Sequence, residues 1–561
     1  MKYRVYPTFL SLAMLVACTS ADYKDSADRE SYGVIADKAA DVPGTTGQVI
    51  IDQMPEVDLS AFPVNNDSFA FLDAVADSEV GAHIISLEAA LDLAFKHSRE
   101  YQTQKERLYL EALALTLDRY RYAPIFSAVG GSEIQWQAED QFVSDMQTLT
   151  GMRQVSMTET VTSGTSLGGR ILLKSGGAVA LNLTNNLTRF LTGNSSEIAS
   201  SALIGSFTQP LLRDFGRAVE TETLLQAERD LLYQLRDFTR FRKELAVRVA
   251  SQYYSVLLNR ETAVNNFAGL NANNLSLERE QAFQQEGLRT LLQVGRLEQS
   301  ALQADLRWTA SIARYKRALD NFKLLLGLDA NLNIVLDDNE MVLISETGMD
   351  RPEIDLDQAV EMAVRTRLDL YTELDQVQDA ARKIDVAANA LLPALDFSFV
   401  ADVPDSPSNT LGELDFENAI YTAGLNLELP LDTKAQRNDY RRALINYEVA
   451  TRNYLLAQDT IILDVIDAWR RMNQFRESYE ISLASVQINE RRVEEAQLRA
   501  ELGLGDIQDT VDSQNDLTQA QTELVSSIVD HNIAKLEFWR DVGLLYVDDS
   551  GQWEEGVDEP Q

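Results

Sequence analysis

The sequence predicts a mainly α-helical fold with β-strands, in which one helix–strand–strand–helix–helix unit occurs twice. First, the segments 87–124 and 356–393 each run from a leucine to a proline over the same 37 positions. Second, residues 211–351 and 431–559 contain no proline, which leaves room for unusually long helices. Third, apolar and polar residues alternate after both prolines, with the period of a half-buried strand. A repeat of about 200 residues is too long for a solenoid unit and indicates a duplicated domain.

Composition and charge narrow the class of protein further. An apolar fraction of 45% in 561 residues is too high for a wholly disordered chain. After the N-terminal segment there is no run of about 18 apolar residues, so no transmembrane helix is predicted. The formal net charge of −37 predicts a solvated, self-repelling surface, with a functional electrostatic role as the alternative. It also argues against nucleic-acid binding, which needs clusters of Lys and Arg.

Residues 1–17 are predicted to be a secretory signal peptide. Basic residues precede an apolar run that is too short to span a membrane. The run ends in Leu-Val-Ala before Cys18, the only cysteine in the chain, which therefore has no intramolecular disulfide partner. This ending resembles the lipobox of bacterial lipoproteins and implies that Cys18 is acylated, with palmitate among its lipids, and becomes the mature N-terminus. Thr19 stands after it instead of Asp, which implies sorting to the outer membrane. The alternative is a chance cysteine beside an ordinary cleavage site.

The pattern changes after the N-terminal segment. Residues 18–83 are rich in Asp, Ser, Ala and Gly without a sustained period, so they predict a lipidated tether and not a domain. Ser86 then has the character of an N-cap and is followed by an acidic first turn, which predicts a helix that ends before Pro124. In the second copy the equivalent helix begins at the cap Asp355 and ends before Pro393.

Two strands follow each of these helices. The predicted strands lie at about 125–137 and 200–209 in the first repeat and at about 394–402 and 418–430 in the second. The connection between the two strands is 49 residues longer in the first repeat than in the second. We expect these extra residues to form an additional hairpin or an elaborated loop.

The longest predicted helices follow the strands. Within 218–285, apolar residues recur at spacings of three and four over 231–256, which is typical of a coiled-coil seam. As one helix this segment would be roughly 100 Å long. Gly287, and Gly503 with Gly505, then predict tight turns, after which helices return. The predicted organisation is a signal peptide (1–17), a lipidated tether (18–83), the first repeat (84–328), an equatorial inter-repeat segment (329–353), the second repeat (354–545) and an acidic tail (546–561).

In order and spacing these elements resemble the TolC-like outer-membrane efflux protein family over about residues 84–545. The resemblance rests on the duplicated unit, on the boundaries 209–212 (Gln-Pro-Leu-Leu) and 429–431 (Leu-Pro-Leu), and on the Leu502-Gly503 turn. It implies a homotrimer in which each protomer gives four strands to a twelve-stranded barrel in outer-membrane lipid. Its helices would form a periplasmic tunnel that holds most of the mass. It further implies a passive exit duct for solutes, driven by an inner-membrane pump and joined by a periplasmic adaptor protein.

Elementary physics supports an oligomer independently. Four strands cannot close a barrel, and an open sheet edge in lipid leaves backbone N–H and C=O groups without partners. Strands that cross a membrane would therefore require several copies of the chain. Aromatic residues near the predicted strand ends fit interfacial girdles, with ordinary packing as the alternative for each: Tyr122, Phe126, Trp136, Phe207, Phe215 and Tyr421.

The sequence offers no catalytic constellation and no cofactor motif. Its three histidines, His83, His97 and His531, do not combine with cysteine or carboxylates at metal-ligand spacing. A glycine-rich phosphate loop, a zinc-protease motif and a nucleophile elbow are all absent from the sequence. We therefore expect neither an enzyme nor a metal or cofactor site.

Acidic residues beside the second turn predict a constriction. Asp506, Asp509 and Asp512 recur every three residues and share one helix face. The family resemblance implies that Asp509 and Asp512 form rings around the periplasmic entrance, where a trimer would gather six carboxylates that attract cations. The alternative is charge compensation at a helix N-terminus together with solvation. The first copy carries Gln293 where some members have an acid, and Gly505 stands where some have an arginine.

The two turns also predict a docking surface. The resemblance implies that Gly287 and Leu288, with Gly503, Leu504 and Gly505, contact the adaptor protein. The alternative from another functional class is a lipid-anchored periplasmic coiled-coil scaffold without transport. The alternating strands between prolines argue against a scaffold, which has no use for them. An exporter of polypeptides, as in type I secretion, would share the whole architecture.

Overall fold

The chain is described here from a computed structural model. The described residues are 19–45, 49–51, 55–144, 151–192, 197–347, 349, 352, 354–406, 409–502 and 507–555. The signal peptide, Cys18, and Gly503, Leu504, Gly505 and Asp506 of the second turn lie outside them. The chain forms two compact units, the first of Met1–Leu110, Leu232–Glu373 and Asn453–Gln561 and the second of Glu111–Leu231 and Leu374–Arg452. Among the described residues, none of the helices combines the length and apolarity needed to cross a membrane.

The fold is mainly α-helical with strands, as the sequence predicts. The α-helices are α1 (Ser20–Ala39), α2 (Leu87–His97), α3 (Arg99–Tyr120), α4 (Arg217–Glu220), α5 (Glu222–Gln285), α6 (Leu291–Leu326), α7 (Asn339–Thr347), α8 (Leu356–Thr366), α9 (Leu368–Asn389), α10 (Lys434–Glu501) and α11 (Ile507–Val542). The strands are β1 (His83–Ile85), β2 (Ile125–Ser144), β3 (Gly151–Leu172), β4 (Ala178–Phe190), β5 (Glu197–Pro210), β6 (Ile334–Leu336), β7 (Ala394–Val403), β8 (Ile420–Glu428), β9 (Leu545–Val547) and β10 (Trp553–Glu555). A 3₁₀ helix spans Ala70–Glu79.

The first helix of each repeat is in fact two helices. Ser86 and Asp355 cap α2 and α8 as predicted, each accepting a hydrogen bond from a backbone N–H in the first turn. At Ser98 and at Arg367 the backbone becomes extended, with ψ near 120° in both, and a second helix begins at once. The sequence pattern missed this break because apolar residues continue through it without proline or glycine.

In each repeat, a glycine that follows the last helix lies in close contact with this break. Gly327 follows α6 and Gly543 follows α11, and both have a left-handed backbone, with φ of 78° and 91°. A Cβ on Gly327 would overlap the carbonyl oxygen of His97, and one on Gly543 would lie 2.5 Å from Thr366 Oγ1. Both contacts therefore require glycine. The same close approach occurs at equivalent positions of the two repeats, which supports the duplication.

The core of the first unit lies along the predicted coiled-coil seam. Apart from the half-buried Phe241, the apolar residues of that seam are fully buried. Tyr253 of α5 packs edge-on against Phe322 of α6, with ring centroids 5.9 Å apart. Its hydroxyl donates to the carbonyl of Ile85 at 3.0 Å, so the one polar atom of this buried ring is satisfied. Burial of each such side chain stabilises the fold by about 1.5–3 kcal/mol.

The N-terminal segment is more ordered than a tether. Thr19 caps α1 in a reciprocal capping box with Asp22, and Ile35 on the same helix is 1% exposed. Further along, Phe71 and Leu72 of the 3₁₀ helix are buried against Ala263 of α5. The sequence did not predict this packing because the apolar residues are few and widely separated, so no helical period stands out. Residues 545–555 likewise contain a short antiparallel pair, β9 with β10, where a simple tail was predicted.

The second unit contains a six-stranded antiparallel sheet in the order β2-β3-β4-β5-β7-β8. All four predicted strands are present, as β2, β5, β7 and β8. The prediction of four strands per protomer is wrong for this chain, because β3 and β4 come from the 49 extra residues and pair between β2 and β5. β3 and β4 form the additional hairpin that was one of the two alternatives for these residues. Their place within the main sheet was not predicted, because their alternation is diluted by Gly, Ser and Thr, a signal much weaker than that of a helix.

Candidate functional site

One face of the six-stranded sheet is apolar. Residues directly opposite one another on neighbouring strands share a face, and Leu167, Leu183 and Leu203 form one such row across β3, β4 and β5. We call this the apolar face. It is formed by Phe126, Ala128, Leu167, Gly169, Ile171, Val179, Leu181, Leu183, Leu203, Gly205, Phe207, Leu395, Phe397, Phe399, Ala401, Val403, Tyr421, Ala423, Leu425 and Leu427.

Much of the apolar face is exposed in the single chain. Phe126 is 81% exposed, Leu425 69% and Tyr421 68%. Soluble proteins rarely expose a continuous apolar patch of this extent. The predicted girdle aromatics Phe126, Phe207 and Tyr421 all belong to this face. An apolar medium, or a partner with an apolar surface, is therefore required to cover it.

The opposite face, which we call the polar face, carries hydrogen-bonding and charged groups. Its members include Arg170, Asn182, Thr184, Ser206, Thr208, Asp396, Ser398, Asp402, Asn426 and Glu428. The charged residues of β7 and β8 are all on this face. On the apolar face of β4 and β5, charges occur only beyond the apolar rows, where Arg189 and Glu197 pair at 3.3 Å. The sheet thus separates an apolar side from a side suited to water.

The sheet has two open edges in the described chain. β2 pairs only with β3, and β8 only with β7. Every second N–H and C=O group along these edges therefore points away from the sheet without a strand to receive it. In water such groups are solvated, but in lipid each costs several kcal/mol.

The first predicted turn is a compact, exposed corner. Gly287 has φ of 75°, and the backbone N–H of Leu288 donates to the carbonyl of Phe283 at 2.9 Å. Arg289 reaches back to Glu280 at 2.6 Å, and the Glu280 side chain is only 6% exposed. Thr290 then caps α6 in a capping box with Gln293. The sequence did not predict the Glu280–Arg289 pair, which ties the two sides of the corner together.

This corner exposes apolar side chains. Leu288 is 68% exposed, and Leu291 and Leu292 of the first turn of α6 are 80% and 69% exposed. Separately, Leu502 at the start of the second turn is 65% exposed. A cluster of exposed leucines at helix ends is a common feature of surfaces that bind another protein.

The predicted gate residues lie at the start of α11. Asp509 and Asp512 are both exposed and lie on one face of the helix, as predicted. Gln508 donates from Nε2 to Asp512 Oδ1 at 2.8 Å, which holds that carboxylate along the helix. Asp509 is in the first turn, where its negative charge interacts favourably with the positive end of the helix dipole. Within the part of the chain that is described, no group of three or more His, Cys, Asp or Glu forms a metal site.

The orientation of α11 is determined by packing. Val511 is buried against Leu297 of α6 and the half-buried Leu277 of α5. A Cβ on Gly269 would lie 2.8 Å from Thr518 Oγ1, so α5 and α11 approach closely there. With Val511 facing its neighbours, Asp509 has to face away from them, because the two residues are about 160° apart around the helix.

A buried charged cluster that the sequence did not predict joins the N-terminal segment to α5. Arg260 is 5% exposed and lies over the rings of Phe69 and Phe71, 4.6 Å and 5.4 Å from their centroids. It forms an ion pair with Asp338. Burial raises the pKa of the nearby Glu79 carboxyl, although a hydrogen bond with Tyr315 opposes that shift. The only sequence signal is an arginine on a helix whose apolar face is otherwise continuous.

A second charged pocket surrounds Lys243 of α5. Its ammonium group donates to the carbonyl of Gly543 at 3.0 Å and lies 5.6 Å from the centroid of the Tyr546 ring. Burial lowers the pKa of Lys243 to about 8, and the neighbouring Arg242 adds to that shift. This group therefore links the end of α11 to the interior of α5.

Known proteins with the same architecture are outer-membrane channels. Residues 359–527, in the second repeat, match the family model described as outer membrane efflux protein. No relative among curated proteins matches the sequence. The family match confirms the resemblance predicted from the duplicated pattern.

Three solved structures illustrate the shared fold. The Campylobacter jejuni CmeC outer membrane channel is 14% identical with a TM-score of 0.58, covering 91% of this chain and 95% of that one. The Vibrio cholerae outer membrane protein VceC is also 14% identical with a TM-score of 0.58, covering 82% and 96%. The open state of the Neisseria gonorrhoeae MtrE outer membrane channel is 12% identical with a TM-score of 0.54, covering 88% and 98%. The fold is therefore that of outer-membrane channels.

Proposed function

We propose that this chain is the outer-membrane channel of a tripartite efflux or type I secretion system. It acts as a passive exit duct through which an inner-membrane pump, joined by a periplasmic adaptor, drives solutes out of the cell. The observation that carries the proposal is the division of one sheet into an apolar and a polar face, because lipid covers the first and a water-filled lumen requires the second. A periplasmic scaffold without transport would need neither.

The functional form is a homotrimer. A single sheet with open edges at β2 and β8 is costly in lipid, and pairing each edge with another copy removes that cost. The channels that share the fold and the family match support this assembly. Most of the remaining mass, which is helical, then lies in the periplasm.

The anchor is Cys18. The cysteine follows a short apolar run and has no disulfide partner in the sequence, so acylation after signal cleavage gives it a use. One acylated residue adds apolar affinity of about 0.8 kcal/mol for each CH₂ buried in the outer membrane.

The helix turns are the docking surface for the adaptor. Exposed Leu288, Leu291 and Leu292 support this at the first turn, where Gly287 shapes the corner. The predicted residues of the second turn, Gly503, Leu504 and Gly505, are proposed on the sequence alone.

The gate is formed by Asp509 and Asp512, with Asp506 as the third acid of the same face. In a trimer the first two bring six carboxylates together, which attract cations and repel anions across a narrow aqueous passage. Removing both charges as Asp509→Asn with Asp512→Asn should reduce cation selectivity and remove any block by multivalent cations in single-channel recordings.

The matched control for the gate is Glu523→Gln. Glu523 lies on the same helix and accepts from Gln519 at 2.8 Å, as Asp512 does from Gln508 at 2.8 Å. The control should keep wild-type selectivity. Unchanged selectivity in the double variant would show that these carboxylates are only a solvated helix face.

Conductance tests the function as a whole. The full-length protein, purified from outer membranes and reconstituted in planar bilayers, should open discrete ionic channels. A protein that fractionates with the outer membrane but never conducts would support the scaffold instead. For a scaffold, deletion of the protein's gene should leave solute export by the inner-membrane pump unchanged, whereas loss of a channel should stop that export.

A further inference from the structure

The sheet contributes more strands than the family resemblance implies. The pairing of β3 with β4 runs from Thr160 opposite Phe190 to Leu172 opposite Ala178. The pairing of β4 with β5 runs from Ala178 opposite Thr208 to Arg189 opposite Glu197. The two additional strands are therefore hydrogen-bonded into the middle of the sheet and not attached beside it. Removing them would leave β2 and β5 as antiparallel neighbours, which is the arrangement of four strands per chain.

The additional strands have the pattern of membrane-crossing strands. A strand needs about 9–11 residues to cross the hydrocarbon layer, and β4 has 13. From Val161 to Ile171 in β3, the apolar face carries no charged residue, and the same holds from Val179 to Leu187 in β4. Arg170, the charge of β3 within this span, is on the polar face. β3 and β4 therefore belong to the same wall as their neighbours.

We infer that three copies of this sheet close edge to edge, β8 of each chain against β2 of the next, into a barrel of eighteen strands. The inference rests on the trimer of the proposed function and departs from the twelve strands of the family resemblance. Because six is an even number, β8 and the next copy's β2 run in opposite directions, as an antiparallel barrel requires. The apolar faces of all three copies then lie outwards in one continuous band.

The number of strands determines the width of the barrel. With strands about 4.8 Å apart and tilted by about 40°, eighteen strands give a diameter of about 36 Å, against about 24 Å for twelve. Barrels of about 16–18 strands leave an open aqueous channel even when side chains line it. The outer-membrane section is thus about twice as large in cross-section as that of a twelve-stranded channel.

Distances between symmetry-related spin labels test the strand count. One variant carries the label at Thr184→Cys in β4, and a second at Ser398→Cys in β7, both on the polar face. Backbone positions related by threefold symmetry are about 31 Å apart in an eighteen-stranded barrel and about 21 Å apart in a twelve-stranded one. The unsubstituted protein, labelled in the same way, reports any label taken up by Cys18. Pulsed electron paramagnetic resonance spectroscopy of the full-length protein in detergent measures these distances.

The expected result is a single distance near 31 Å, corrected for label length, at both positions. A distance near 21 Å at Ser398→Cys, in a protein whose measured mass is that of a trimer, would overturn the inference and leave the proposed function intact. A mass that is not a trimer's would overturn both. A third variant, which carries the label at Ser398→Cys and lacks residues 151–190, should show a distance about 10 Å shorter if it folds. If the deletion variant does not fold, the distances measured in the full-length protein decide the number of strands.

Discussion

The two faces of the sheet predict opposite outcomes for neighbouring substitutions in β4. Leu183 lies on the apolar face, in register between Leu167 and Leu203. Thr184, the next residue, lies on the polar face between Ser166 and Ala202. Both substitutions place the same arginine side chain, with the same volume and charge, at neighbouring positions of one strand. The pair Leu183→Arg and Thr184→Arg therefore isolates what surrounds each face.

The expected magnitude follows from the depth of the residue. Leu183 is in the central apolar rows, and arginine near the middle of a bilayer on the lipid face destabilises a barrel by about 2–4 kcal/mol. That is a roughly 30- to 700-fold change in the folding equilibrium for each chain. Thr184→Arg should cost little because the side chain enters the aqueous lumen, where it should instead lower cation selectivity.

The assay is guanidinium unfolding of the reconstituted protein in vesicles, followed by fluorescence, together with the amount of each variant in the outer-membrane fraction. We expect Leu183→Arg to unfold at lower denaturant and to accumulate poorly, and Thr184→Arg to match the wild type in both. Equal tolerance of the two, or greater damage from Thr184→Arg, would refute the assignment of the apolar face to lipid.

Four further results are expected. Cys18→Ala should abolish the acyl mass at the mature N-terminus, measured by mass spectrometry, and weaken membrane attachment without unfolding the barrel, and an unmodified wild-type N-terminus would contradict this. Gly327→Ala should lower the free energy of unfolding by about 2 kcal/mol or more, since alanine is strained at this φ and overlaps a carbonyl. Gly295→Ala, at the fifth residue of α6 where an added Cβ meets nothing within 4 Å, should raise it by about 0.5–1 kcal/mol in the same unfolding experiment. The depressed pKa of Lys243 means that the unfolded chain binds more protons between pH 8 and 10.5, so the free energy of unfolding should rise with pH across that window, and a Lys243→Met variant should lose this rise.

The order of the elements was predictable because long-range repetition is written directly in the sequence. Caps at Ser86 and Asp355 and glycines at Gly287 and Gly327 mark helix ends by local chemistry, and the structure has helices that begin and end there. The breaks at Ser98 and Arg367 were not predictable by the same means. At each break a glycine far along the chain closely approaches the backbone or the last side chain before it, and such a contact leaves no local pattern.

The candidate site also has features that could be predicted from the sequence and features that could not. The exposure of Asp509 and Asp512 follows from their spacing on a helix, which a sequence shows. The ion pair of Arg289 with Glu280 depends on the geometry of a corner, and the stacking of Arg260 depends on an N-terminal segment with sparse apolar residues. The number of strands was missed for a related reason, because a wall that faces lipid on one side and water on the other tolerates Gly, Ser and Thr on both.

The pairing of β2 with β3 continues after β4 has ended. β4 leaves β3 at Thr160, whereas β2 and β3 stay paired as far as Ser144 and Gly151. The nine further residues of β3 make a two-stranded ribbon about 30 Å long. It leaves the sheet at the end opposite Pro124 and Pro210, which under the proposed orientation is the outside of the cell. Under that orientation the ribbon extends past the six-stranded part of the sheet into the external medium, so it can contact molecules outside the cell without lining the conducting passage.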